Sequence, residues 1–296
     1  MKKDTIIAID LAKSVFQVCV MRDGKAVLNK RLSRTALLPF IVQQEGGIVV
    51  MEACYSSHYW GRVFQEHGFE AKLIPAQHVK PFVRGNKNDR NDALAIAEAA
   101  SRPGLRFVPV KTTAQQDVQS LHRLRDRWLK ARVALTNQAR GLLSEYGIIF
   151  AQGDKAFREG VQQALDSDGL SSVIKATLQE VYQEYLFLQQ RLTFAKAQIQ
   201  ALSEEDSHCQ LLESIPGIGP IIATAITSNI GNGSGFASAR EFAVWTGLTP
   251  RQSASGNRSV MLGISKRGDR YLRKQLVHGA RATMRWCGGA VVSISR

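Results

Sequence analysis

Four carboxylates in this chain stand where acids do chemistry: Asp10, Glu52, Asp89 and Asp92. Asp10 closes the apolar run Thr5-Ile6-Ile7-Ala8-Ile9, and Glu52 closes Ile48-Val49-Val50-Met51. A short apolar run ending in one acid reads as a buried strand delivering a carboxylate to its exposed end. Here that grammar occurs twice. Parallel neighbours would bring both acids to one sheet edge, where open α/β sheets place their ligands. Asp89 and Asp92 share one face of a helix for which Asn88 is a suitable N-cap. Two unit charges ~4 Å apart repel by roughly 4 kcal/mol at an effective dielectric near 20. Converging carboxylates therefore need counter-ions, and hard divalent ions, Mg²⁺ or Mn²⁺, suit oxygen ligands. Two such ions can clamp the attacking and leaving oxygens of a phosphoryl transfer. Singly, each acid has a plainer explanation: Asp89 and Asp92 favour a helix N-terminus through its dipole, and Glu52 suits a surface. Jointly, two strand-tip acids and a paired-acid helix behind the basic loop His78 to Lys87 favour a metal site.

The elements that must position these acids follow from the pattern. Phe16 to Val20 alternates like a second strand, Asp23-Gly24 signals a hairpin turn, and Ala26 to Arg31 returns as a third strand. Ser33 to Gln44 reads as a helix with Leu37, Leu38 and Ile41 inward. A second helix follows Glu52 and runs to about His67, and Glu70 to Ile74 is a strand ended by Pro75.

The 296 residues, 44% hydrophobic, suffice for about two cores. The net charge of +14 points to a polyanionic partner. It is concentrated: residues 251–296 carry ten Lys/Arg against the lone Asp269, whereas 151–210 carry five basic and nine acidic residues. Cys19, Cys54, Cys209 and Cys287 include no closely spaced pair, which disfavours zinc and disulfide frameworks and fits a reducing cytosol. Met1-Lys2-Lys3-Asp4 leads into a strand without a signal-peptide core, and no apolar run is long enough to span a bilayer. A cytoplasmic protein with no membrane partner is expected.

Thr113 to Tyr146 reads as one long helix with the stripe Leu121, Leu124, Trp128, Ala131, Leu135 and Leu142. Arg123, Arg125, Arg127, Lys130 and Arg132 crowd one half of it and are candidate nucleic-acid contacts. Ser172 to Leu202 is a second, striped by Ile174, Leu178, Val181, Tyr185, Leu188, Leu192, Ala195, Ile199 and Leu202 at coiled-coil spacing. The two could pair as an antiparallel arm or zip across subunits. Leu211 to Ile226 then reads as helix, Pro-Gly-x-Gly turn, helix, the helix-hairpin-helix signature. Gly217 and Gly219 would let backbone N–H groups approach a phosphate; an ordinary tight turn between core helices is the alternative. Ser238 opens a short helix with a capping box. Arg251 to Arg258 reads as a small-residue loop between arginines. Lys266, Arg267, Arg270 and Arg273 follow on a basic stretch opening a helix with Leu272, Leu276 and Ala280 inward.

Three features together, Ile-Ala-Ile-Asp at 7–10, Met-Glu-Ala at 51–53 and Lys-Asn-Asp-Arg-Asn-Asp-Ala at 87–93, resemble the DEDD transposases of bacterial insertion sequences. The similarity extends over nearly the whole chain. It implies a RuvC/ribonuclease-H-like mixed α/β domain (1–110), a coiled-coil helical arm (111–210) and a mostly helical helix-hairpin-helix serine domain (211–296). It also implies catalysis by Asp10, Glu52, Asp89 and Asp92 with two bound Mg²⁺ or Mn²⁺ ions. The family's serine precedes a glycine, which Ser255-Gly256 matches, with Ser253 the competing choice. Arg251 and Arg258 would stabilise charge on the phosphate. The resemblance further implies DNA partners (element ends and target), a noncoding guide RNA, a homo-oligomer (dimer or tetramer) and a bacterial, nucleoid-associated location. A DNA invertase is a variant within the same family. A junction nuclease, which needs no serine, and a non-enzymatic DNA-binding protein are the readings from other classes. A sugar kinase would need glycine-rich phosphate loops that the first domain lacks.

Overall fold

The computed structural model describes residues 5–44, 46–85, 88–256 and 258–286. Asn86 and Lys87 of the basic loop, Asn257, Cys287 and the first four residues lie outside the described residues. The chain divides into two compact units, Met1–Thr113 and Ala114–Arg296.

In the first unit, β1 (Thr5–Asp10), β2 (Val15–Arg22) and β3 (Lys25–Ser33) form an antiparallel meander. Then come α1 (Arg34–Val42), β4 (Ile48–Glu52), α2 (Ser57–Glu66) and β5 (Glu70–Ile74). A short α3 (Ala76–Val79), a 3-10 turn at Lys80–Phe82 and α4 (Asp89–Ala100) complete it. The sheet order is β3-β2-β1-β4-β5, with β4 and β5 parallel to β1. Alternation sends Ile7, Ile9, Val49, Met51 and Leu73 to one face, where Leu37 of α1 and Trp60 and Phe64 of α2 cover them. Ala8, Cys19, Val50 and Ile74 face the other way, under Ala93, Ile96 and Ala97 of α4. Burial on both faces is why β1 and β4 are almost wholly apolar up to their final acid.

The second unit holds α5 (Thr113–Ser144, entered at the unit boundary), α6 (Asp154–Asp166), α7 (Ser172–Glu204), α8 (Ser207–Glu213), α9 (Pro220–Ile230) and α10 (Ala239–Thr246). A hairpin, β6 (Pro250–Ser255) and β7 (Arg258–Ile264), precedes α11 (Arg270–Trp286). The α7 stripe packs as its spacing predicts, with Leu178, Tyr185, Leu188, Ala195 and Ile199 buried. The α5 stripe does so in part: Trp128 and Leu135 are buried, and Leu121 and Ala131 pack against the same core. Leu124 and Leu142 are exposed, and the buried positions are Gln119, His122, Trp128, Leu135, Ala139 and Leu143. Two different neighbours explain this. Trp128, Leu135 and Leu143 join Phe157 and Val161 of α6 and Tyr185 of α7 in one apolar core. The first turns of α5 instead meet α9 through polar groups. Gln119 donates to the Asn229 side chain at 2.7 Å, and His122 lies 3.0 Å from the Thr224 hydroxyl and 2.9 Å from that of Tyr271 on α11. Burial, aided by the nearby Arg125 charge, pushes His122 down to about 4, so the ring is neutral near pH 7. No helix among the described residues is long and apolar enough to cross a membrane.

Candidate active site at the sheet edge and the serine hairpin

The register fixes the first two acids. Ile9 of β1 lies beside Met51 of β4, so Asp10 and Glu52 end adjacent parallel strands in one row. The row extends through Gln17, opposite Asp10, to Arg31, opposite Gln17. It lies on the α4 face, since Ala8 and Val50, two residues earlier, pack there. Both acids are half-buried. Their field reaches Cys54: desolvation of its sulfur, reinforced by repulsion from Glu52 and Asp10, pushes the thiol up to about 11, although the residue as a whole is exposed.

The same row grips the first turn of α4. Gln17 donates to Asn29 at 2.6 Å, and Asn29 donates to the Arg90 carbonyl at 3.0 Å. Arg31 pairs with Asp89 at 3.0 Å. Asn88 caps the helix, its side chain accepting from the Asn91 N–H at 2.9 Å. Asp89 and Asp92 thus occupy the first turn of a helix that lies on the face carrying Asp10 and Glu52. Four carboxylates are the oxygen donors that hard divalent ions take. Among the described residues, however, no three His, Cys, Asp or Glu side chains stand close enough to enclose an ion. Of Gln17, Asn29 and Arg31, only Gln17 carries a signal in the sequence, as a polar residue inside the buried strand β2; β3, which holds the other two, has no buried residue.

In the second unit, Arg251 to Arg258 is a β-hairpin rather than an open loop. Ser255 ends β6 and pairs with Arg258 across the turn, where Gly256 takes φ +56°. Glycine adopts that positive φ without the steric cost a Cβ would bring. Ser253, Ser255, Arg251 and Arg258 are all exposed. The hairpin base is anchored: Ser265 N–H donates to Thr249 at 2.8 Å and Lys266 N–H to Gly247 at 3.0 Å.

The Pro-Gly-x-Gly turn joins α8 to α9, but its glycines differ. Gly217 (φ +89°) backs onto α11; a Cβ there would stand 2.8 Å from the Gly279 carbonyl and collide with the Thr283 hydroxyl. Packing accounts for Gly217. Gly219 faces open space at the N-cap of α9. Gly279 takes the inward place on α11 that the pattern gave to Ala280, which is exposed. Arg273 donates to the carbonyls of Thr246 (3.0 Å) and Arg267 (3.4 Å), so it closes the end of α10. Lys266, Arg267 and Arg270 are exposed. Within the α5 cluster, Arg132 bonds Gln189 at 2.8 Å and pairs with Asp154 at 3.4 Å, and Lys130 pairs with Asp126 at 2.7 Å. Arg132 thereby ties α5 to α6 and α7, whereas the Lys130 pair lies within α5; Arg123 and Arg127 are exposed.

A mixed five-stranded sheet with acids at its carboxyl edge, joined to a basic helical unit, defines a nucleic-acid-processing class, and comparison with known proteins narrows it. A transposase model of the DEDD type matches residues 7–148, and the model for the transposase IS116/IS110/IS902 family matches residues 209–291. The transposase for insertion sequence element IS1111A of Coxiella burnetii is 44% identical over 288 residues, covering 96% of this chain and 79% of the relative. The transposase for insertion sequence element IS1328 of Yersinia enterocolitica is 38% identical, covering 95% and 84%. The chain belongs to the IS116/IS110/IS902 family of transposases, enzymes of DNA cleavage and strand transfer.

Proposed function

We propose that this transposase cuts and rejoins DNA by phosphoryl transfer, with Ser255 as nucleophile and Asp10, Glu52, Asp89 and Asp92 as the acidic site. The observation that carries this reading is the row that ends adjacent parallel strands in Asp10 and Glu52, with the Asp89/Asp92 turn of α4 held on the same face. The four carboxylates would hold Mg²⁺ or Mn²⁺, two ions to a site, which when bound neutralise charge on the phosphate and reacting oxygens. In the first step Ser255 Oγ bonds to phosphorus, the P–O3′ bond breaks, and the 3′-hydroxyl leaves with a proton. In the second, a 3′-hydroxyl from another strand attacks the phosphoserine and releases Ser255, so the bond is exchanged without an outside energy source. Arg251 and Arg258, on the same hairpin, are suited to the phosphate charge.

Gly219 at the α9 N-terminus and the exposed Lys266, Arg267 and Arg270 would hold DNA backbone, reading no sequence. A noncoding guide RNA for target choice is in keeping with the family resemblance and the +14 net charge. Self-association as a dimer or tetramer is supported by Val173, Phe187 and Phe194, exposed on α7 at multiples of seven residues and away from its buried stripe.

The test is a denaturing gel for a covalent protein–DNA adduct, with the protein co-expressed alongside the DNA flanking its gene and supplied with Mg²⁺. An adduct lost in both Asp10→Asn and Ser255→Ala is expected. Nicked DNA without an adduct, still made by Ser255→Ala, would show hydrolysis by the acids alone and overturn the serine's role.

A further inference from the structure

The carboxyl edge of the sheet carries more than acids. Directly after Glu52 the chain turns through Cys54, Tyr55 and Ser56. Ser56 holds a left-handed backbone, φ 64°, unfavourable for a residue with a Cβ. The turn is pinned from below: Ser57, fully buried, donates to the Cys54 carbonyl at 2.9 Å, and Ala53 N–H donates to Ile74 at 2.7 Å. What this strained corner sends outward is Tyr55, 79% exposed. Tyr59, on the first turn of α2, is 48% exposed. The Arg34 guanidinium, at the start of α1, lies 5.8 Å from the Tyr59 ring and 5.2 Å from that of Trp60. Arg34 also joins the loop after Asp10, its backbone N–H donating to Ser14 at 2.9 Å and its guanidinium to the Lys13 carbonyl at 3.4 Å. Lys13 is exposed. Two exposed aromatic rings and two cations therefore flank the strand ends that carry Asp10 and Glu52.

We propose that Tyr55 and Tyr59, flanked by Arg34 and Lys13, form a stacking platform for unpaired bases of the DNA strand whose phosphate meets the acids. This rests on reading those acids as the strand-cleaving site. Every base has a π face that an exposed aromatic ring can cover, and such stacking tolerates any sequence. A duplex hides those faces, so the platform selects unpaired nucleotides. The cations offset the repulsion that a phosphodiester backbone meets beside an acidic edge. DNA rather than RNA is the occupant because the platform shares its edge with the acids that act on the cut strand.

The test uses the full chain and a single-stranded DNA oligonucleotide carrying 2-aminopurine, with its duplex form and the RNA of the same sequence alongside. Wild type and Tyr55→Phe should quench the unpaired DNA probe equally. Tyr55→Ala should bind it about tenfold more weakly. Asp10→Asn should quench as wild type does while failing to cleave, which separates the platform from the chemistry. Equal quenching by wild type and the double variant Tyr55→Ala/Tyr59→Ala would overturn the proposal. So would quenching confined to the RNA or to the duplex. Normal cleavage by Asp10→Asn would instead remove the acidic site on which the proposal rests.

Discussion

Asp10 and Glu52 each follow three buried residues, whereas Ser255 ends a hairpin in which every described residue but Ile264 is exposed. The acids inherit their positions from two packed sheet faces, so their spacing is set before any substrate arrives. The hairpin has neither face covered, and two strands alone are marginally stable in water. Its anchors at Thr249 and Gly247 fix where it starts, not where its tip lies. The proposed acids thus rest on a packed sheet, and the proposed nucleophile rests on a ribbon whose described residues are almost all exposed.

The contrast can be broken most directly in the chemistry. Asp10→Asn should lower strand cleavage by on the order of 10³-fold with an unchanged unfolding midpoint. Ser255→Ala should abolish the adduct, also without loss of stability. A destabilised Ser255→Ala protein would show that the hairpin is part of the fold. Next comes packing. Met51→Ala, in β4, should cost about 2–5 kcal/mol in urea unfolding. Met261→Ala, 64% exposed on β7, should stay within about 0.5 kcal/mol. Equal costs would erase the distinction.

His122 extends the comparison to pH. Its pKa in the folded chain, about 4, lies below the ordinary 6.5, so between those values the unfolded chain takes up a proton that the folded chain refuses. Stability therefore falls as pH drops from about 6.5 toward 4, by up to about 3 kcal/mol. The difference between wild type and His122→Asn across that window isolates the effect. Gly217→Ala should cost about 1–3 kcal/mol through positive φ and the Gly279 contact. Gly219→Ala should leave the midpoint nearly unchanged and weaken DNA binding. Smallest is Arg270→Ala, which should reduce the salt slope of DNA binding by about one. Arg273→Ala should instead show its loss in stability, through the end of α10.

The first unit was legible because each strand repeats a single rule. β1, β4 and β5 have the bounds their apolar runs indicate, and Asn88 caps α4 as its position suggests. The acid row was half legible: strand tips show in a sequence, but pairing, which brings Gln17 and Arg31 into line with them, does not. The hairpin was hidden because Arg-Gln-Ser-Ala-Ser lacks the alternation that a half-buried strand displays. The α5 stripe is legible only in part, because Gln119 and His122 are buried by virtue of Asn229, Thr224 and Tyr271, over a hundred residues away. α6 was passed over altogether. The packing of Gly217 on α11 and the bond from Arg273 to the end of α10 likewise leave no trace in the local sequence.

The row across the sheet also makes the site sensitive to parity. Side chains on a strand alternate, so one residue inserted into β4 ahead of Met51 would turn Glu52 to the α1/α2 side while leaving composition, charge and strand propensity almost intact. Two inserted residues would restore its side and shift it only along the strand. Length changes between Ile48 and Glu52 should therefore be tolerated in even steps better than in odd ones, a constraint the freestanding hairpin around Ser255 does not share.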